Sequence, residues 1–191
     1  MKVITAACIV AHPDDETIWM GGTILQKSEW KWTIFSLCRA NDKDRMPKFR
    51  KVCKIYRAEA IISDLDDEKL RPLQNDVVQN KILKKLPMVK YNYLFTHGEN
   101  GEYGHIRHKE IHKAVKNAVR KKNIKCDKLF FFSYESGVDK MPTPSKSHDL
   151  INELSEEKFK RKIFLITNVY GFADDSFEAR SCGKTEAFVE L

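Results

Sequence analysis

The 191-residue chain lacks the features that mark several large classes of protein. No apolar run approaches the ~20 residues that span a bilayer, so the sequence predicts no membrane anchor. The five cysteines are odd in number, widely scattered and form no Cys-x-x-Cys pair. This pattern indicates neither a disulfide framework nor a thiolate zinc site. We expect most of the cysteines to be small buried apolar residues.

Nucleotide-binding signatures are also missing. No Gly-x-Gly-x-x-Gly fingerprint and no P-loop follows any predicted strand, so dinucleotide and nucleoside triphosphate sites lack their usual support. The 34 basic and 27 acidic residues give a formal net charge of +7. The lysines are spread along the chain without a known nucleic-acid-binding pattern. We therefore expect a solvated basic surface and no nucleic-acid partner.

Strand and helix patterns alternate along the chain, which has the length and composition of one globular domain, residues 1–191. The predicted strands are residues 3–10, 32–38, 60–63, 91–96, 128–133 and 163–169. The predicted helices are residues 17–28, 48–57, 75–86, 108–122 and 156–162. The alternation predicts an α/β fold with a mainly parallel sheet. Residues 136–149 are expected to form an exposed loop. The apolar N-terminus runs into polar residues without a cleavage region, so we expect a cytoplasmic protein.

Two polar clusters carry the candidate chemistry. His12, Asp14 and Asp15 follow the first buried strand, where open α/β sheets place their functional residues. His105 and His108 lie far along the chain, at the start of a predicted helix. The spacing of His12 and Asp15 suits one metal ion, and either distant histidine could supply a third ligand. Such a set leaves a position for water, as in catalytic zinc sites, although nitrogen and oxygen ligands also accept iron or other divalent ions.

The remaining groups suit acid–base chemistry. Asp14 is the candidate general base that takes a proton from water, and the histidine that does not bind metal is the candidate acid or oxyanion stabiliser. Glu16 is expected to cap the following helix or to orient a ligand. His97 either lines the pocket or caps a loop, and Asp64 is a further candidate for substrate contact.

Together these motifs resemble the LmbE/PIG-L family of zinc-dependent N-deacetylases. The resemblance rests on residues 11–16, residues 101–108 and the C-terminal stretch Glu186-Ala187-Phe188, and so spans essentially the whole chain. It implies a Rossmann-like (LmbE-like) three-layer sandwich. It also implies an N-acetylglucosamine derivative or a related small N-acylated amine as substrate, and an enzyme acting on C–N bonds other than peptide bonds. The family includes assemblies of several sizes, so the resemblance leaves the oligomeric state open and allows a homo-oligomer.

The resemblance also implies roles for individual residues. It implies that His12, Asp15 and His108 bind zinc and that Asp14 is the general base. It implies that His105 is the acid or electrostatic partner. Tyr103 matches a tyrosine that, in some members, leans over the site and steadies the oxyanion.

The chain departs from the family pattern at two places. The family often has Pro and Asp between the two histidines, where this chain has Ile106 and Arg107. Arg107, if close to His105, would lower the pKa of that histidine. Residues 37–45 stand where the family usually has a glycine-containing substrate loop. Arg39, Arg45 or Arg50 is therefore a candidate for binding a sugar hydroxyl or phosphate, and the sequence leaves the choice among them open.

Two other functions stay open at this stage. A metal-dependent hydrolase could act on a different amide or on a phosphoester, although two-metal phosphatases need more carboxylates than these clusters provide. A basic nucleic-acid-binding module without catalysis would show affinity that falls steeply with salt.

Overall fold

The computed structural model describes residues 3–137, Asp139 and residues 141–191. Strands and helices alternate through most of this part of the chain. The strands are β1 Thr5–Val10, β2 Lys31–Ser36, β3 Glu59–Ile62, β4 Lys90–Thr96, β5 Lys125–Phe132, β6 Tyr134–Ser136, β7 Pro142–Pro144, β8 Leu150–Glu153 and β9 Thr185–Glu190. The helices are α1 Asp15–Gln26, α2 Arg45–Tyr56, α3 Asn75–Lys85, α4 Ile106–Arg120, α5 Glu156–Phe164 and α6 Phe177–Ser181.

Seven strands form one sheet in the order β3-β2-β1-β4-β5-β9-β8. The first five strands of that order are parallel, while β9 is antiparallel to both of its neighbours. The chain order reverses between β1 and β4. Ligand sites of open α/β sheets form at such a reversal, beyond the carboxyl ends of the strands. This mostly parallel α/β architecture confirms the predicted fold class.

Alternating side chains of β1 enter two separate cores, which is why helices cover both faces of the sheet. Ala6, Cys8 and Val10 pack with α1, α2 and the segment after α5. Ala7 and Ile9 pack with α3 and α4. Side chains of a strand point to opposite faces in turn, so a strand buried on both sides is apolar throughout. The structure is thus a three-layer sandwich.

The predicted strand at residues 163–169 is wrong, because this segment is helical. Helix α5 continues into a π-helical turn, Leu165–Tyr170. Leu165, Ile166, Val169 and Tyr170 are buried in it, and their spacing is that of one helix face. The other predicted helices and strands agree with the observed ones to within three residues.

The C-terminal half contains strands that the sequence patterns did not predict. The predicted loop at residues 136–149 includes β7, which pairs with β6, although Val138 and Lys140 lie outside the described residues. Strand β8 is short and partly polar, and β9 carries a buried glutamate, so neither shows the usual apolar alternation. No helix of the described residues is long and apolar enough to cross a bilayer.

The buried glutamate of β9, Glu186, ties the C-terminal motif to α1. Helix α1 departs from helical dihedral angles at Met20. The Glu186 carboxylate accepts hydrogen bonds from the backbone N–H groups of Gly22 (2.8 Å) and Thr23 (2.7 Å), and it pairs with Lys162 at 2.8 Å. Both members of this ion pair are fully buried. The pair therefore satisfies the backbone groups that lie next to the kink in α1.

Candidate metal centre

A strained turn joins β1 to α1 and carries the first cluster. Asp14 has φ 118°, a positive value that side chains rarely adopt. Its backbone N–H donates to Glu16 Oε2 at 3.1 Å, and its carbonyl accepts from Thr17 and Ile18 at the start of α1. Glu16 is fully buried and also accepts from the Tyr170 hydroxyl at 2.8 Å. These bonds hold the turn that carries Asp14 and Asp15.

Three donor atoms from the two clusters form a nearly equilateral triangle. His12 Nδ1 lies 3.2 Å from Asp15 Oδ2, and His108 Nε2 lies 3.4 Å from each of these two atoms. Ligands bound at ~2.0–2.1 Å in a tetrahedron are separated by ~3.3 Å. The distances between the donor atoms of His12, Asp15 and His108 therefore match those between three ligands of one tetrahedral ion. These residues could hold a metal.

The outer nitrogen of His108 is fixed by a carboxylate. His108 Nδ1 lies 2.5 Å from Glu102 Oε2, and neither side chain is exposed. Although burial opposes it, His97 and His108 lower the pKa of Glu102 to about 2, so Glu102 is a carboxylate. A carboxylate only accepts hydrogen bonds, so Nδ1 carries a proton and, in the neutral ring, Nε2 keeps its lone pair for the triangle.

The outer nitrogen of His12 has a similar neighbour. His12 Nε2 lies 3.1 Å from Asp67 Oδ1, and Arg39 pairs with the other Asp67 oxygen at 2.7 Å. Against burial, which raises it, His12 and Arg39 hold the pKa of Asp67 below its ordinary value. With its proton on Nε2, on the side of the Asp67 carboxylate, a neutral His12 would present the lone pair of Nδ1 to the triangle.

Arg107 holds the segment that carries Asp67. Its fully buried guanidinium donates to the carbonyls of Asp66 (2.5 Å) and Arg71 (2.9 Å) and to Glu110 Oε2 (2.7 Å). Glu110 in turn accepts from the Leu73 N–H at 2.6 Å. Arg107 is therefore directed into the loop between β3 and α3, and it fixes the loop that supports His12.

Asp15 and His97 complete the surroundings of the triangle. The second oxygen of Asp15 accepts from the Trp19 indole N–H at 3.1 Å. His97 is fully buried at the end of β4, accepts from the Ala11 N–H at 2.9 Å and contacts Glu102 at 2.9 Å. Both nitrogens of His97 are thus occupied, so we assign it to positioning the end of β1 and Glu102.

Glycines shape the loop before α4. Gly101 and Gly104 have φ values of 68° and 96°, and Glu102 between them has φ 58°. A Cβ on Gly101 would lie 2.7 Å from the His105 carbonyl oxygen, so only glycine fits there. The loop turns Glu102 inward and leaves Tyr103 40% exposed. The Tyr103 ring contacts the rings of His105 and His108, and it lines the cleft over the triangle.

The cleft has a volume of about 250 Å³ and brings several sequence candidates together. Asp14 lies in its wall, and its carboxylate pairs with Arg45 at 2.5 Å. Burial and the Asp15 carboxylate raise the pKa of Asp14, while Arg45 opposes this shift. The guanidinium of Arg45 also lies 4.4 Å from the centre of the Phe172 ring. Arg45 is thus held against both Asp14 and the cleft wall.

His105 caps α4 and faces the same cleft. Its Nδ1 accepts from the Arg107 backbone N–H at 3.3 Å, so the proton of a neutral ring is on Nε2. Burial, His108 and His12 lower the pKa of His105 to about 4. The sequence raised the question whether Arg107 would lower this pKa, but its guanidinium is directed into the loop between β3 and α3. A neutral His105 would therefore present its Nε2–H to the cleft as a hydrogen-bond donor.

The arginine candidates separate in the structure. Arg39 and Arg45 line the cleft, and each pairs with a site carboxylate. Arg50 is exposed on α2 and is not among the cleft-lining residues, so the structure does not bring it to the site. Asp64 likewise lies outside this cleft and pairs with Lys81. Sequence reasoning missed the contacts of Glu102 and Asp67 with the histidines, although Glu102 lies within the motif at residues 101–108.

Comparison with known proteins relates the site to one family. The family model described as "PIG-L: GlcNAc-PI de-N-acetylase" matches residues 7–119, which include both clusters. An uncharacterized protein of Acanthamoeba polyphaga mimivirus is 26% identical over 149 residues, covering 68% of this chain and 62% of that protein. The chain therefore spans less than two thirds of that relative's length.

Solved structures with the same fold cover most of the chain. GalB from Pseudomonas putida, a 4-carboxy-2-hydroxymuconate hydratase, has a TM-score of 0.69 at 11% identity, with 99% of this chain and 96% of that chain covered. The N,N'-diacetylchitobiose deacetylase of Pyrococcus horikoshii has a TM-score of 0.67 at 14% identity, with 98% of this chain and 83% of that chain covered. The zinc-inhibited form of teicoplanin deacetylase Orf2 has a TM-score of 0.63 at 12% identity, with 92% of this chain and 90% of that chain covered. At these identities the likeness shows the fold alone, and this fold serves more than one reaction.

Proposed function

The chain belongs to the PIG-L family, and from that premise we propose that it is a metal-dependent N-deacetylase acting on an N-acetylglucosamine derivative or a related small N-acyl amine. The triangle of His12 Nδ1, Asp15 Oδ2 and His108 Nε2 carries the proposal. Two nitrogens and one oxygen suit zinc, and they also accept iron. A zinc ion bound there would lower the pKa of water to ~7 and polarise an acyl carbonyl.

Asp14 supplies the proton transfers in this proposal. Its carboxylate lines the cleft beside the triangle. Burial raises the pKa of Asp14, and the Arg45 guanidinium opposes that shift. Asp14 takes a proton from the attacking water and then gives it to the amine nitrogen as the C–N bond breaks. A group that is base in one step serves as acid in the next.

His105 and Tyr103 supply hydrogen bonds to the developing oxyanion. The Nε2–H of neutral His105 and the hydroxyl of Tyr103 are donors at the wall of the same cleft. Preorganised donors of this kind stabilise charge as it forms. We therefore propose that His105 acts as a donor rather than as the acid. Arg39 and Arg45, at the cleft wall, are the proposed contacts for substrate hydroxyl or phosphate groups.

An acetate-release assay tests the proposal. Metal-free protein reconstituted with zinc or iron is given a panel of N-acetylglucosamine derivatives, other N-acyl amines, phosphoesters and hydratase substrates. We expect metal-dependent acetate release, and we expect Asp14→Asn to lower its rate by about 10²–10⁴ while metal binding is kept. Asp44→Asn, at an exposed position outside the cleft, is the matched control. Activity that survives metal removal, or an Asp14→Asn variant with the wild-type rate, would overturn the proposal.

A further inference from the structure

An apolar tip projects from the amino-terminal end of the sheet. Met88 is 79% exposed and Val89 is 51% exposed, in the short connection between α3 and β4. Beneath them a cleft of about 210 Å³ is lined by Leu83, Leu86 and Ile124. Met88 and Val89 line the same cleft as these residues. Contiguous apolar surface of this kind marks interaction sites on soluble domains.

Exposed lysines precede and follow this tip in the chain and lie on the neighbouring segment before β5. The stretches 77–98 and 111–126 hold ten Lys and Arg residues and no Asp or Glu. Helices α3 and α4, which occupy half of these stretches, pack against each other. The last turns of both helices lead to Met88 and Val89. We use the name basic tip for these two residues together with Lys84, Lys85, Lys90, Lys121, Lys122 and Lys125.

Two of these lysines are neighbours in the sheet. Lys90 on β4 is the register partner of Lys125 on β5, and both line the apolar cleft. Like charges that lie opposite each other in adjacent strands are destabilising. Asp127 pairs with Lys90 from β5, and it is the acidic residue nearest in sequence to Lys125. Six lysines belong to the tip and one of them pairs with Asp127, so the tip keeps a net positive charge that an anionic surface complements.

We propose that the basic tip docks on an anionic lipid membrane. Met88 and Val89 enter the interface between headgroups and acyl chains, and the lysines contact the anionic headgroups. An exposed apolar tip with exposed lysines beside it matches both components of such a surface. Nucleic acid matches only the lysines, because the tip has no aromatic ring on which a base could stack.

The tip lies at the opposite edge of the sheet from the candidate metal centre. Met88 and Val89 precede β4, whereas His97 follows it, and β1 and β4 are parallel. Docking therefore attaches the protein to the membrane while the cleft faces the surrounding solution. The inference does not depend on the proposed reaction.

Sedimentation with lipid vesicles tests the inference on the full chain. Vesicles of phosphatidylcholine alone are compared with vesicles that also contain phosphatidylserine, at low and high salt. We expect binding to the phosphatidylserine vesicles only, weakened by salt. The double variant Met88→Ser/Val89→Ser and the double variant Lys90→Gln/Lys125→Gln are each expected to lower the affinity by about 10-fold or more.

Matched controls carry the same substitutions elsewhere. Leu150→Ser/Ile151→Ser changes two exposed apolar residues of β8, and Lys51→Gln/Lys160→Gln changes two exposed lysines of α2 and α5. Both controls are expected to bind as the wild type does, and unchanged thermal unfolding of all variants shows that they are folded. Equal binding to both vesicle types, or tip variants that bind like the wild type, would overturn the inference. So would RNA binding that depends on the lysines of the tip while vesicle binding is absent.

Discussion

Glu102 Oε2 lies 2.5 Å from His108 Nδ1 and thereby determines which nitrogen of His108 faces His12 and Asp15. The same oxygen lies 2.9 Å from His97 Nδ1, so one carboxylate orients two histidines. The left-handed backbone of Gly101 and Glu102 makes this inward position accessible. The metal-binding geometry thus depends on a residue that would not itself touch the ion.

Replacing Glu102 is expected to weaken metal binding. Glu102→Gln keeps the size of the side chain but removes the charge that holds His108 Nδ1–H. Loss of such a partner typically lowers metal affinity about 10–100-fold. Competition with a chromogenic chelator measures the change. Glu99→Gln, at an exposed position of the same loop, should bind metal like the wild type, and equal affinities for the two variants would contradict the assignment.

Replacing Arg107 is expected to lower the free energy of unfolding and to loosen the loop that supports the site. Arg107→Met leaves the partly buried Glu110 carboxylate and two loop carbonyls without their donor. Breaking a buried ion pair costs about 3–5 kcal/mol. Urea unfolding should show a decrease in the free energy of unfolding of this order. Arg107→Lys should recover only part of it, because an ammonium cannot reproduce the forked contacts.

A control on the same helix distinguishes loss of this network from a general effect on α4. Arg120→Met, at an exposed position near the end of α4, is expected to leave stability within about 0.5 kcal/mol of the wild type. If Arg107→Met were equally harmless, the loop between β3 and α3 would not depend on Arg107.

The Lys162–Glu186 pair permits a double-mutant cycle. Lys162→Met alone leaves Glu186 as an unpaired buried carboxylate, and Glu186→Gln alone leaves an unpaired buried ammonium. Each single change is expected to cost about 3 kcal/mol or more, and the double change less than the sum. The exposed pair Lys184–Glu156 is the comparison, with an expected coupling below about 1 kcal/mol. Additive costs for the buried pair would show that the two charges do not interact.

Thiol reactivity tests the packing of the cores. Cys8, Cys38, Cys53 and Cys182 are buried, and burial raises the pKa of each thiol. Cys126 is partly exposed. We expect at most one thiol to react quickly with maleimide in the native protein, and Cys126→Ser should remove that fast phase. Rapid labelling of several thiols would contradict the buried placement.

Much of the fold could be predicted because its parallel strands are buried on both faces. Strand β1 is apolar from Ala6 to Val10 and His12 follows it closely, so both its position and its functional edge are visible in the sequence. The prediction of a strand at residues 163–169 was wrong for the same reason. A short apolar run fits a buried strand and a buried helix equally well.

The site could be predicted in part because its ligands cluster in sequence. His12 and Asp15 share one turn, and His105 and His108 share the start of α4. The supporting carboxylates were missed for a physical reason. Glu102 reaches the histidines only because glycines reverse the loop, and Asp67 does so only because Arg107 and Arg39 hold its segment. Such contacts depend on tertiary structure, and no local pattern reports them.

Titration calorimetry of the metal-free protein with zinc tests the central claim most directly. We predict one ion per chain, with binding abolished or strongly weakened in His12→Ala, Asp15→Asn and His108→Ala. His105→Ala should still bind one ion, because His105 is outside the triangle, and His148→Ala serves as a control at an exposed position. The absence of saturable binding, or one-to-one binding that survives in the three ligand variants, would contradict the account.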